Sequence, residues 1–270
     1  MGKAADDSFR TEIFVKVNAA KALEIQLEKL AKRHKYNLTT LAEEIGLVQI
    51  GTATDPYQPI EARVHVTRQC LEVLQRFRVP VSITTRSPLI LRDLDVLQNM
   101  DVRAICISVH TLDKVVWKNL EPSTPSPLKR LETVRTLGQH QIKTGILLAP
   151  VIPWISDQSS ELEAVIRAAR EYGAKFLSPS VLRLDPEVKE WFFHVVAEKY
   201  PHEHLQLRRM YKSEYAPEWY KQKFMQRVEP LMKQYGFTDY ERTQLSVQPR
   251  RDRNQCEYME GASVQLALPI

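Results

Sequence analysis

The chain has 270 residues of ordinary globular composition, enough for one large domain, or for a domain with an appendage, around an ample core. Its formal net charge of +5 is compatible with an acidic partner such as nucleic acid but does not require one. No apolar run is long enough to span a bilayer and no secretory signal precedes the first predicted helix. We therefore expect a cytoplasmic protein without a membrane partner.

The first 60 residues lead up to a polar loop. Residues 13–17 are a short strand-like run, and Asn18 can cap a helix that continues to about residue 31. A second short helix is predicted over 38–45. The apolar run 47–50 then indicates a buried strand, and it leads directly into a small, polar segment, residues 51–55.

The polar loop that follows this strand is a candidate binding site. Thr52, Thr54 and Asp55 lie at the carboxyl end of the predicted strand, which is where ligands bind in parallel α/β sheets. The alternative is a plain connection between strand and helix, with Asp55 as a turn former. The loop alone does not decide between the two.

Strands and helices alternate along the rest of the first 185 residues. This alternation predicts a parallel sheet with crossover helices. Two of the strands also end in polar residues, at 84–87 and at Ser108. A helix of about residues 89–100 is expected between them, and another is expected to begin after Ser126 and to end at Gly138. Five strands are predicted, over 47–51, 80–85, 103–109, 143–149 and 175–182, which fits a partial (β/α) barrel better than a closed eightfold one.

The C-terminal third differs in composition. Residues 187–240 have a helical pattern rich in Tyr, Trp, Lys and Arg, and their basic, aromatic part around 208–221 could contact phosphates and bases or could pack as an amphipathic helix across the barrel. Beyond residue 240 the chain is polar. We expect a barrel over 1–185, a helical extension over 186–240 and a flexible tail over 241–270.

Cysteine spacing gives no sign of a metal site. The three cysteines are Cys70, Cys106 and Cys256, and no CxxC or CxxxCxxC motif occurs. Cys70 falls in a helical pattern and Cys106 in a predicted strand, where a small buried apolar side chain is expected. The sequence therefore predicts no metal ligands in this chain.

Six short motifs, in a fixed order over roughly residues 10–200, resemble those of the spore photoproduct lyase-like radical S-adenosylmethionine (SAM) family. They are GTATDPYQPIE (51–61), TRQCLEVL (67–74), VSITTRSP (81–88), LEP (120–122), APVIP (149–153) and SVLRL (180–184). The resemblance implies an α/β fold: a partial (β/α)6 radical SAM-type barrel missing its first strand, with a helical C-terminal extension. It also implies SAM as cofactor, with a [4Fe–4S] cluster on a CxxxCxxC loop after the first strand.

This chain departs from the family pattern at that cysteine loop. In the family the loop precedes a segment like residues 13–18, and here no CxxxCxxC motif occurs. The sequence leaves three explanations open: a truncated reading frame, a cluster held by another polypeptide, or a protein that is not a radical enzyme.

The resemblance also implies which residues contact SAM. Thr52, Thr54 and Asp55 match the strand end that meets the SAM amino group, and Ser108 matches the strand end facing the ribose. Arg86, with Thr85 and Ser87 beside it, matches a position suited to the SAM carboxylate, which arginine can bind bidentately. The alternative for Arg86 is a surface salt bridge.

Three functions therefore remain open. The first is a radical SAM protein acting on an unknown substrate, such as a nucleic acid. The second is a cluster-free, non-catalytic remnant or binding module of the same fold. The third is an unrelated barrel enzyme that uses Asp55, Glu61 and His110 as acid–base groups.

The last six residues, QLALPI, resemble the short peptide by which bacterial repair and replication proteins engage the DNA sliding clamp. Gln265 can hydrogen-bond at a pocket rim, and Leu266 and Leu268 can fill apolar pockets. The alternative is a tail whose leucines dock on the chain's own barrel.

Overall fold

The computed structural model describes residues 14–237, and strands and helices alternate throughout the barrel part of this range. The strands are β1 (Val48–Ile50), β2 (Val81–Thr85), β3 (Val102–Ser108), β4 (Thr144–Val151) and β5 (Leu177–Val181). The barrel helices are α1 (Ala19–Arg33), α2 (Leu38–Ile45), α3 (Glu61–Val64), α4 (Val66–Arg76), α5 (Leu94–Leu97), α6 (Lys114–Leu120), α7 (Pro127–Gln139) and α8 (Ser159–Glu171). The extension is formed by α9 (Pro186–Lys199), α10 (Pro201–Met210) and α11 (Glu218–Gln234).

The five strands form one parallel sheet in the order β1-β2-β3-β4-β5. Each strand pairs with the next one along the chain, with Ile50 beside Ile83 and Ile107 beside Ile146. Because every connection returns through helical segments, all five carboxyl ends lie at the same edge. The predicted α/β partial barrel with a helical extension is therefore confirmed.

Burial explains why these runs became strands. Ile83, Ile105, Ile107, Ile146 and Leu148 are fully buried between the sheet and its helices, as expected for a parallel sheet covered by helices. Phe193, Leu207 and Phe224 of the extension belong to the same apolar core as the barrel. The extension therefore packs on the barrel.

Three local predictions were wrong. Residues 14–17 are not a strand: Phe14 and Val17 are exposed, and this run pairs with no strand in the range 14–237. The segment 89–100 is not one helix, since Pro88–Asp93 is a 3-10 helix that Ser87 caps, and α5, which follows it directly, ends at Leu97. Finally, α7 runs through Gly138 to Gln139, and the left-handed residue after it is Gln141, with φ 60°.

No helix among residues 14–237 is both long and apolar enough to cross a membrane. The predicted tail and its clamp-like peptide at 265–270 lie outside the described residues.

Candidate functional site

A polar cleft of about 140 Å³ opens at the carboxyl ends of β1, β2 and β3. The loop after β1 forms one wall, and the ends of β2 and β3 form the other. Its lining residues are Gly51, Thr52, Ala53, Thr54, Asp55, Thr84, Thr85, Arg86 and Ser108. Six of the seven residues predicted to contact SAM are thus brought together.

Ser87 is the exception, since it does not line the cleft. Its hydroxyl oxygen accepts a hydrogen bond from the Leu89 amide at 3.3 Å, and so it caps the 3-10 helix. The structure therefore gives Ser87 a local role in starting that helix.

The turn after β1 depends on Gly51. Its φ is +93°, and a Cβ atom built there would lie 2.0 Å from the Thr84 carbonyl oxygen of the neighbouring strand. Only glycine allows the backbone of β1 to approach β2 this closely. The close approach brings the polar loop over the end of β2.

Asp55 joins the loop to the end of β2. One carboxylate oxygen, Oδ1, accepts from the Tyr57 amide at 2.9 Å and from the Thr85 hydroxyl at 2.6 Å. The other, Oδ2, accepts from the Arg86 amide at 2.9 Å. Asp55 therefore both forms the turn after β1, as the alternative in the sequence analysis proposed, and lines the cleft. With three bonds made, its carboxylate retains capacity for one further donor.

A chain of alternating charges continues from Arg86 into the interior. Arg86 Nη1 lies 2.5 Å from Glu121 Oε1, and Glu121 Oε2 lies 2.5 Å from Arg130 Nη2. Arg130 is 1% exposed, and it also donates to the main-chain oxygens of Ser108 and Pro125. These contacts fix the end of β3 and the guanidinium of Arg86 relative to each other. Among the hydrogen bonds of residues 14–237, none uses Nη2 of Arg86, which leaves a donor for a ligand.

The electrostatics of this chain favour an ionised Glu121. Burial alone raises the pKa of its carboxyl group, but the neighbouring His110 and the positive charges of Arg86 and Arg130 outweigh burial and hold the pKa well below its usual range. His110 is buried, and its Nδ1 lies 3.4 Å from Glu121 Oε2 without hydrogen-bond geometry.

The acid–base trio of the third hypothesis is not assembled. Glu61 accepts from the Thr67 amide at 3.0 Å and from Arg92 Nη2 at 2.9 Å, so it caps α4 and belongs to a separate ion-pair cluster. Neither Glu61 nor His110 lines the cleft. These positions do not support the third hypothesis.

Sequence reasoning missed two residues that position the site, Glu121 and Arg130. Both follow β3 by more than ten residues, so neither adjoins a strand end. The available signal was Glu121 itself, an acidic residue between a helix end and a proline-rich loop in one of the recognised motifs.

The described residues do not fit an iron–sulfur cluster. Within the range 14–237, no three His, Cys, Asp or Glu side chains are grouped as metal ligands. Cys70 lies in α4 and Cys106 in β3, and burial raises the pKa of the Cys106 thiol to about 12. A buried thiol of this kind stays protonated, whereas a cluster ligand is a thiolate.

Sequence comparisons found relatives without an assigned activity. No family model matches. An uncharacterized protein of Mycobacterium tuberculosis is 27% identical over 232 residues, which cover 84% of this chain and 65% of that protein. An uncharacterized protein of Methanocaldococcus jannaschii is 30% identical over 112 residues, which cover 42% of this chain and 43% of that protein. The chain thus spans just under two thirds of the mycobacterial relative's length.

Comparison with solved structures identifies the architecture. A double mutant of spore photoproduct lyase with bound AdoMet and dinucleoside spore photoproduct superposes with a TM-score of 0.56 at 15% identity, covering 85% of this chain and 68% of that one. A complex of spore photoproduct lyase with the dinucleoside spore photoproduct gives 0.55 at 15% identity, covering 77% and 69%. The resemblance seen in the motifs is therefore confirmed at the level of the fold: this chain has the fold of spore photoproduct lyase.

Proposed function

We propose that this chain binds SAM in the cleft at the ends of β1, β2 and β3, as the cofactor-holding part of a radical SAM protein. The observation that carries the proposal is the convergence of Thr52, Thr54, Asp55, Arg86 and Ser108 on one cleft. The solved structure of the same fold with bound AdoMet supports it. Carboxyl ends of parallel strands are also where such folds bind ligands.

The chemistry of the cleft matches the two ends of SAM. The amino acid end carries an ammonium and a carboxylate, and the other end carries ribose hydroxyls. In our proposal the remaining acceptor capacity of Asp55, with the Thr54 hydroxyl, receives the ammonium, and Arg86 Nη2 donates to the carboxylate. The Ser108 hydroxyl then hydrogen-bonds to a ribose hydroxyl. Glu121 holds Arg86 in place without contacting the ligand.

Radical chemistry needs a reductively active cluster, and the described residues do not fit one. We therefore derive no reaction step through a cluster. In the proposed radical SAM protein, the ligands of the cluster come from outside residues 14–237 or from a partner. The second candidate function is a SAM-binding module without a cluster, and the burial of Cys106, whose thiol does not suit a cluster ligand, is the observation that supports it.

The binding proposal is tested by calorimetry with two ligands. SAM should bind the native chain, and Arg86→Ala should weaken binding by about ten- to a hundredfold, because it removes a charge-assisted hydrogen bond of about 1.5–3 kcal/mol. Methylthioadenosine lacks the amino acid part, so its affinity should be unchanged by the same substitution. Arg76→Ala is the control, since Arg76 pairs with Glu24 at the opposite edge of the sheet. Equal SAM affinity of the native and Arg86→Ala chains would remove Arg86 from the site.

Anaerobic reconstitution with iron and sulfide separates the two candidate functions. The module without a cluster should bind SAM but show no [4Fe–4S] absorption, alone or with its physiological partner. A radical SAM protein should gain a stoichiometric cluster once the missing ligands are supplied.

A further inference from the structure

A second cleft lies at the same edge of the sheet, beyond β4, with a volume of about 360 Å³. It is bounded by the turn after β4 and by the first half of α11. Its lining residues are Trp154, Asp157, Gln158, Trp219, Tyr220, Lys223 and Arg227. None of them belongs to the SAM cleft described above.

The turn after β4 presents one aromatic ring to solvent. Six of the seven residues 151–157 are buried, and only Trp154 is exposed, at 36%. Its backbone takes the left-handed conformation, with φ 63°, and its amide donates to Asp157 Oδ1 at 2.8 Å. A bulky residue in this conformation costs of the order of 1–2 kcal/mol, so the surrounding contacts must hold it there.

The facing helix presents a second ring and two cations in one row. Trp219, Lys223 and Arg227 are spaced four residues apart on α11, which places them on one face at intervals of about 6 Å. Trp219 is 59% exposed, whereas Tyr220 and Phe224 beside this row are buried in the core.

Asp157 fastens the two walls together. Its carboxylate accepts from the Tyr220 hydroxyl at 2.5 Å and from Arg227 Nη2 at 3.1 Å. The rings of Trp154 and Trp219 both lie near the ring of Tyr220, with centroids at 6.4 and 5.8 Å. Both exposed tryptophans therefore lie next to the same buried tyrosine.

Lys223 lines the same cleft as these rings and adds a positive charge to it. Among the described residues no acidic group pairs with its ammonium. Arg227 is held by Asp157 but still lines the cleft, so the lining charges sum to a net positive value. Two exposed aromatic faces and a cation that no acidic group among residues 14–237 pairs with suit a planar ring that carries an anionic group.

We propose that this cleft binds a nucleotide unit, with its base stacked on the tryptophans and its phosphate at Lys223. Two exposed indole rings can take any base without hydrogen-bond readout, so binding should tolerate different sequences. The occupant is either one residue of a single-stranded nucleic acid or a free nucleotide. The inference goes beyond SAM binding and does not rest on it, because the two clefts share no residue.

The test uses the whole chain without SAM and two probes. Fluorescence anisotropy measures binding of a labelled decathymidylate, and quenching of tryptophan fluorescence measures binding of AMP. Trp219→Ala should weaken both by about tenfold or more, and Trp219→Phe by less, because a phenyl ring still stacks. Lys223→Gln should weaken binding of both probes. It should also reduce the slope of log K against log salt concentration for the oligonucleotide by about one.

Controls come from the same extension. Leu205 is also 59% exposed, so Leu205→Ala removes an equally exposed apolar side chain, and Lys233→Gln removes an exposed charge of α11 outside the cleft. Both should bind like the native chain, and the circular dichroism melting curves of all variants should coincide.

If decathymidylate binds more tightly than AMP, the occupant is a single-stranded nucleic acid. If AMP binds at least as tightly as decathymidylate, the occupant is a free nucleotide. The proposal is overturned if neither probe binds at high micromolar concentration in 0.15 M salt. It is also overturned if Trp219→Ala and Lys223→Gln bind both probes like the native chain.

Discussion

Glu121→Gln tests whether the buried charge chain holds the site together. The substitution keeps the shape of the side chain but removes the negative charge between Arg86 and Arg130. Arg130 is 1% exposed, so water cannot solvate its guanidinium once the carboxylate of Glu121 is gone. Arg86 is partly exposed, and water can solvate its guanidinium instead. Removing one partner of a buried ion pair costs about 3–5 kcal/mol. Because the amide oxygen of glutamine still accepts a hydrogen bond, we expect the free energy of unfolding to fall by about 3 kcal/mol.

The effect should depend on pH in a defined direction. The folded-state pKa of Glu121 lies below its ordinary value of 4.5, so its charge stabilises the fold fully above that pH. The contribution is lost as the pH falls below 4.5 toward the depressed folded-state pKa. The stability difference between the native chain and Glu121→Gln should therefore shrink as the pH falls below 4.5.

Urea denaturation followed by circular dichroism measures both quantities. Glu190→Gln is the matched control, because Glu190 pairs with Arg208 at 2.7 Å on the exposed surface, where such a pair contributes less than about 1 kcal/mol. A loss for Glu121→Gln no larger than that of the control, or a difference that does not change with pH, would refute this account of the charge chain.

Three further predictions follow from the backbone and the terminus. Gly51→Ala should lower the free energy of unfolding by at least about 2 kcal/mol and weaken SAM binding, because its Cβ meets the Thr84 carbonyl. The control Gly46→Ala has open space around its Cβ but also a positive φ, so it should cost about 1–3 kcal/mol and leave SAM binding unchanged. Gly138→Ala should raise the melting temperature, with a gain of about 0.5–1 kcal/mol, because this helical position has no left-handed φ and no neighbour within 4 Å. We also propose that a labelled peptide of residues 258–270 binds purified DNA sliding clamp, and that joint replacement of its two leucines by alanine abolishes binding; no association at high micromolar clamp would contradict this. These leucines are Leu266 and Leu268.

Much of the cleft proposed to bind SAM could be predicted from sequence because it is built on strand ends. In a parallel sheet the carboxyl end of every strand meets one edge, so polar residues that follow apolar runs must lie near one another. Thr54, Asp55, Arg86 and Ser108 follow three such runs, and the structure brings them together. Periodicity also placed all five strands to within a few residues.

The contacts that fix side chains could not be predicted in the same way. Glu121 follows α6, Arg86 follows β2 and Arg130 lies in α7, so the three side chains meet only in the folded chain and no local pattern encodes their contact. The exposed ring of Trp154 was missed for a similar reason. The sequence of its turn is an apolar run, which predicts a buried segment. The left-handed backbone turns the ring outward, and it depends on the tertiary contact of Asp157 with α11.

Hydrogen–deuterium exchange with saturating SAM tests the central claim most directly, because it reports where the ligand acts on the chain. We predict slower amide exchange in residues 51–55 and at Thr85 and Arg86, with no change in the last turn of α4, which ends at Arg76 and leads to the start of β2. In Arg86→Ala this protection should fall at equal SAM concentration. Unchanged exchange in residues 51–55 while SAM is bound, or protection confined to other segments, would contradict the assignment of this cleft to SAM.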